Sequence, residues 1–175
     1  MSKKDKGMPL YRLALCSFLV ALSIVCGKFL KIPVGDVMRF SFENLPILFA
    51  GLVFGPVEGA LVGVVADLLG CLLYGYAINP MVTAGAVCIG LLAGLGGVVL
   101  RRMPMAWRVV LTTAAAHLIG SVVIKTLGLA RYYSMPLLPL MGWRLLNYAV
   151  VGIAEAAALC LLLRNKGIQR LTKGG

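Results

Sequence analysis

Apolar residues along this chain fall into runs about as long as a bilayer crossing, separated by short polar stretches or by Pro and Gly. Runs over 11–30, 57–74, 81–100, 107–129 and 140–163 each approach the ~20 residues a membrane-spanning helix needs. A shorter run starts at Asn44 or Leu45 and stops at Gly55-Pro56. The pattern predicts an all-α membrane protein: six transmembrane helices in a compact bundle. The stretch from Arg39 to Pro80 is the most organised. Glycine recurs every fourth position at Gly51, Gly55, Gly59 and Gly63, and the register continues to Asp67 and Cys71. In a membrane helix such a row lets another backbone approach closely. Gly55-Pro56 interrupts it, so two helices joined by a tight turn are expected. Asn44 is the expected N-cap of the first, with Pro46 tolerated in its opening turn. Before it, Val37, Arg39, Ser41 and Glu43 alternate with Met38, Phe40 and Phe42, the pattern of a short extended segment.

Composition agrees with the membrane reading: 61% apolar and 13% charged, with mean hydropathy +0.96. No stretch remains for a soluble domain. The expected division is a basic tail over 1–10, a six-span domain over 11–163, and a second basic tail over 164–175. The basic start followed by an apolar run resembles a signal peptide, but no small-x-small site follows it, and Val25 is too bulky to precede a lipoprotein cysteine at Cys26. The reading is an uncleaved first span. The five cysteines all lie in apolar runs without a CxxC pair, as small buried apolar side chains.

Net charge is +11, yet the basic residues sit in tails and one loop, where topology rules place them, so nucleic acid is not an expected partner. Eleven of the seventeen Lys and Arg fall on one side if the termini share it, which predicts cytoplasmic N- and C-termini. The other six are Lys28, Lys31, Arg39, Lys125, Arg131 and Arg144. Lys28 and Lys31 suit snorkelling anchors; the remaining four would ring the outer mouth of the bundle. Lys125 and Arg144 stand a few residues inside their spans, where charge is costly and usually faces a cavity.

Arg144, Asn147, Val151 and Glu155 share one helical face, and His117, Ser121 and Lys125 share another. Two facing polar stripes predict a cleft with cations outermost and Glu155 deeper, unless Glu155 only neutralises Lys125 or His117. Asp67 is expected to make an interhelical hydrogen bond. A single histidine builds no histidine-pair metal site, and no metal or cofactor is expected. There is no GxxxxGK[ST], HExxH or GxSxG. Ser121 beside His117 is the sole weak nucleophile candidate, and without oxyanion donors the chain is read as no enzyme.

LPILFAGLVFGPVEGALVGVVADLLG resembles a stretch found in the substrate-binding S components of energy-coupling factor (ECF) vitamin transporters. RFSFENLPILFAG followed by GCLLYGYAINP is most similar to the folate subfamily. The resemblance spans essentially the whole chain. It implies a high-affinity vitamin-binding subunit that captures its substrate outside, between the loop after the first span and the outer ends of spans 4 to 6. Delivery then runs through a transmembrane T component and two ATP-binding subunits. The family's small-residue docking motif on the first span has its counterpart in Ser17-x-x-x-Ala21.

Folate suits the residues. Lys125, Arg131 and Arg144 supply cations for its carboxylates. Glu43, Asn79, Asn147 and Glu155 are candidates to pair the pterin edge, and Phe40, Tyr76, Tyr132, Tyr133 and Trp143 to stack on it. With Arg39, the expected binding set is Arg39, Phe40, Glu43, Asn79, Lys125, Tyr132, Arg144, Asn147 and Glu155. The alternatives are the same fold for thiamine, pantothenate or another nutrient, a membrane enzyme, and an assembly subunit.

Overall fold

The computed structural model describes residues 10–34 and 38–168, with the backbone alone at 31–34, 38 and 39. The basic residues at 3, 4, 6, 170 and 173 lie outside the described residues, as do the side chains of Lys31 and Arg39. Helix α1 (Leu10–Phe29) leads into a β-hairpin of β1 (Lys31–Val34) and β2 (Met38–Ser41). Then come α2 (Asn44–Phe54), α3 (Pro56–Tyr74), α4 (Pro80–Val99) and α5 (Met105–Ala116). A π-helical segment, His117–Ile124, runs on into α6 (Lys125–Tyr133), and α7 (Leu137–Arg164) follows. Among the described residues five helical stretches are long and apolar enough to cross a membrane, with α5, the π segment and α6 counted as one; α2 is a shorter sixth. The extended segment is the hairpin's second strand, with Phe40 opposite Ile32.

Gly55 makes the turn between α2 and α3 because its φ of 121° lies where a Cβ clashes with the backbone. Pro56 then starts α3 in the first helical position, where its missing N–H is no loss. Asn44 is not the N-cap of α2. Glu43 holds that position without a side-chain cap bond, while Asn44 is the first helical residue and fully buried. A tertiary partner has outcompeted the local cap.

The glycine row is not one continuous groove, since the turn at Gly55 folds it in two, yet both halves meet the same helix. Gly51, Gly59 and Gly63 all pack on the small strip Ala86, Gly90 and Gly94 of α4. A Cβ on Gly90 would lie 2.1 Å from the Gly59 carbonyl oxygen, so the two backbones are in van der Waals contact. Close backbone packing is the main attraction between helices in lipid, which gives apolar side chains no reason to leave it. Thr83 of α4 donates to Asp67 of α3 at 2.7 Å, the expected interhelical bond. Such bonds contribute about 0.6 kcal/mol on average within a bilayer.

At eleven residues α2 rises only ~16 Å, about half of a ~30 Å hydrocarbon core. Its start at Asn44 is fully buried within the bundle. Polar side chains from the neighbouring helices converge above it.

A buried polar cluster beneath the hairpin

Lys125 opens α6 and is 4% exposed. Its stem crosses α4 at Gly85, where a Cβ would lie 2.4 Å from Lys125 Cγ. Only glycine leaves that path open. The Lys125 ammonium donates to Asn44 Oδ1 at 3.4 Å and faces Glu43 Oε1 at 3.7 Å. Glu43 in turn anchors the hairpin's exit: Ser23 of α1 donates to its carbonyl at 2.6 Å, and Ser41 Oγ lies 3.4 Å from its carboxylate.

Deeper in the bundle, Glu155 is fully buried and its Oε2 meets His117 Nε2 at 2.5 Å. The other imidazole nitrogen is 3.2 Å from Ser121 Oγ, and Tyr148 stacks on the ring at 5.0 Å. Arg144 Nη2 donates to the Ser121 carbonyl at 3.1 Å and to the Tyr148 hydroxyl at 3.4 Å. The polar stripes of the fifth and sixth spans thus close on each other instead of lining an open cleft. The cleft between α5 and α7, about 510 Å³, is otherwise apolar, with His117 and Tyr148 on its wall beside Val110, Leu118 and Ile153. Asn44 Nδ2, Arg144 Nε and Glu155 Oε1 are buried without a hydrogen-bond partner, so the cluster retains two donors and one acceptor.

The π segment explains how the stripe on the fifth span stays aligned. Residues four apart drift ~40° around an α-helix at each step. Bonds of the i→i+5 kind wind the chain more slowly, and such segments often occur at functional sites. His117, Ser121 and Lys125 therefore point to one side, and Thr126 Oγ1 reaches the Ser121 carbonyl at 3.3 Å.

Of the expected binding residues, Glu43, Lys125, Arg144 and Glu155 converge here, and the buried Asn147 shares their face of α7. Asn79 is committed elsewhere: its Oδ1 caps α4 by accepting from the Met81 N–H at 3.0 Å, and its amide donates to the Gly128 carbonyl at 3.1 Å. Phe40 is half-buried in the hairpin, and only the backbone of Arg39 is described. Tyr132 and Trp143 are more than half exposed, and Arg131 is exposed as well. Among the described side chains the outer cations form no ring: Lys125 and Arg144 turn inward and Lys28 lies over the Tyr74 ring at 5.8 Å. Sequence reasoning missed Gly85, Tyr148 and Thr126, and misassigned Asn44.

Ser121, His117 and Glu155 line up in the order of a hydrolase triad. Ser121 is fully buried, however, and the N–H groups around it are taken up by helical bonds, so no oxyanion site accompanies it. Among the described residues no group of three or more His, Cys, Asp or Glu side chains is placed to hold a metal.

Three comparisons with known proteins bear on this arrangement. The family model described as "ECF transporter, substrate-specific component" matches residues 11–163. The folate transporter FolT of Clostridium novyi (strain NT) is 31% identical over 81 residues, a match spanning 42% of this chain and 45% of that protein. Among solved structures, FolT bound with folic acid superposes with a TM-score of 0.71 at 24% identity, over 87% of this chain and 90% of that one. The S component for biotin from an ECF-type ABC transporter gives 0.67 at 17% identity, over 99% and 100%. Both structural likenesses concern the fold.

Proposed function

The chain belongs to the substrate-specific components of ECF transporters, integral multi-pass membrane proteins, and from that premise we propose that its vitamin is folate. One observation carries the reading: two cations lie inside an apolar bundle, Lys125 against Glu43 and Asn44 at the start of α2 and Arg144 on the Ser121 carbonyl four residues before Lys125, with buried donors still open on Arg144 and Asn44. Buried charge in a membrane span usually faces a substrate path. The glutamate tail of folate brings two carboxylates, matching two cations in number and sign, and guanidinium binds carboxylate well. A cationic vitamin such as thiamine meets like charge at the same place. The partial likeness to the Clostridium novyi folate transporter points the same way.

In this reading both termini are cytoplasmic, the cluster opens to the outside through the hairpin, and Asn147 and Glu155 are the polar groups available to a pterin ring. Release inside requires the T component and two ATPases. Ser17 and Ala21, with Ala14, form an exposed small-residue strip on α1 suited to docking them.

Calorimetric titration of the purified protein with folate tests the proposal. Wild type is expected to bind with submicromolar affinity without ATP. Lys125→Ala and Arg144→Ala should each weaken binding about 30-fold or more, the range for truncating one member of a buried charge pair, with thermal melting retained. Normal binding by both variants, or saturation only by a different vitamin, would refute it.

A further inference from the structure

Lys125 already has a carboxylate partner within the chain, and the two partners are unequally placed. The Lys125 side chain is 5% exposed and hemmed in by α4 at Gly85, whereas the Glu43 side chain is 31% exposed at the rim. Their separation of 3.7 Å exceeds the ~2.8 Å of a well-formed charge-assisted hydrogen bond. The pair is therefore loose, and only Glu43 can leave it without abandoning a buried charge. Glu43 also has somewhere to go. It is the cap residue of α2 yet makes no side-chain cap bond, and its carboxylate lies 3.4 Å from Ser41 Oγ of the hairpin, so that hydroxyl and the positive dipole end of α2 can hold it away from Lys125.

We propose that Glu43 is a built-in competitor for Lys125 and that an acidic ligand binds by carboxylate exchange: the ligand's carboxylate takes the ammonium and Glu43 withdraws toward the start of α2. This rests on the folate reading, in which Lys125 receives a ligand carboxylate. Sharing is disfavoured, because two carboxylates on one buried ammonium repel each other across a medium of low dielectric. Exchange makes Glu43 a specificity-determining residue. A ligand with a carboxylate restores the charge pair that it breaks, whereas a neutral pterin that displaced Glu43 would strand Lys125. Withdrawal of Glu43 also loosens the only ion pair that joins the hairpin's exit to α6 among the described residues.

The test is a cycle of wild type, Glu43→Gln, Lys125→Met and the double variant, each titrated with folate and with pterin, which has no carboxylate. Removing the competitor should tighten folate about two- to fivefold, the effect of a partly exposed ion pair. The gain should vanish in the Lys125→Met background, and pterin affinity should be the same with Glu or Gln at 43. Two outcomes overturn the exchange while leaving the folate reading intact. Folate weakened by Glu43→Gln would make Glu43 a direct ligand contact, and unchanged folate affinity would mean no competition. A wild type that binds no folate defeats the folate reading itself, and the exchange with it.

Discussion

Replacing Gly90 by alanine adds one methyl group where two helices have no room for it. The new Cβ would lie 2.1 Å from the Gly59 carbonyl oxygen, 2.2 Å from its carbon and 2.7 Å from the Ala60 nitrogen. All three atoms are backbone, so no side chain can rotate away. Restoring contact distance requires α3 and α4 to separate by on the order of 1 Å along their shared small-residue seam. Overpacking of this kind costs about 1–3 kcal/mol, and a rigid backbone neighbour puts Gly90 at the upper end. Alanine's better helix propensity offsets about 1 kcal/mol, leaving a net loss of about 2 kcal/mol. Gly142 of α7 supplies the control, because a Cβ there meets nothing within 4 Å. The assay is reversible SDS titration in mixed micelles, following helical signal. Gly90→Ala should unfold at lower SDS than wild type, and Gly142→Ala at equal or higher SDS. If Gly90→Ala unfolds with wild type, or if both variants lose equally, the seam is not what holds α3 on α4.

Three further outcomes are expected. His117→Leu leaves Glu155 buried with neither carboxyl oxygen hydrogen-bonded, a loss of about 1–3 kcal/mol; His117→Leu/Glu155→Leu should recover most of it in thermal melts, and a double variant no more stable than the single would refute the coupling. Gly85→Ala should displace the Lys125 stem and weaken folate roughly tenfold, equivalent to about 1.4 kcal/mol; calorimetry showing less than a twofold change would mean Gly85 does not set the position of Lys125. Ser17→Leu/Ala21→Leu fills the exposed strip on α1, so folate binding should persist while co-purification with the T component and ATPases is lost. Intact assembly would place the docking surface elsewhere.

Much of the candidate site was legible in outline. Spacings of three and four put His117, Ser121 and Lys125 on one face and Arg144, Asn147 and Glu155 on another, and the two faces do meet. Spacing carries no information about distance between faces, so an open cleft was expected where the structure has direct contacts. Asn79 shows the limit from the other side. A polar residue at a helix start suits a ligand contact or a cap equally well, and in the structure Asn79 caps α4 through the Met81 N–H while its amide donates to the Gly128 carbonyl. Asn44 went the opposite way, because the ammonium of Lys125 reaches it from another helix.

The sequence by itself determined the apolar spans, the hairpin turn at Gly55-Pro56, the short α2 and the small-residue faces. Each follows from hydropathy, or from the local steric character of Gly and Pro, within a window of some twenty residues. Only the tertiary structure decided that both halves of the glycine row pack on α4, that the fifth span winds as a π-helix through Ser121, and that Lys125 faces Glu43 and Asn44. Those outcomes depend on which helix lies alongside which. Lys125 and Asn44 are 81 positions apart, and nothing local to either residue specifies the other.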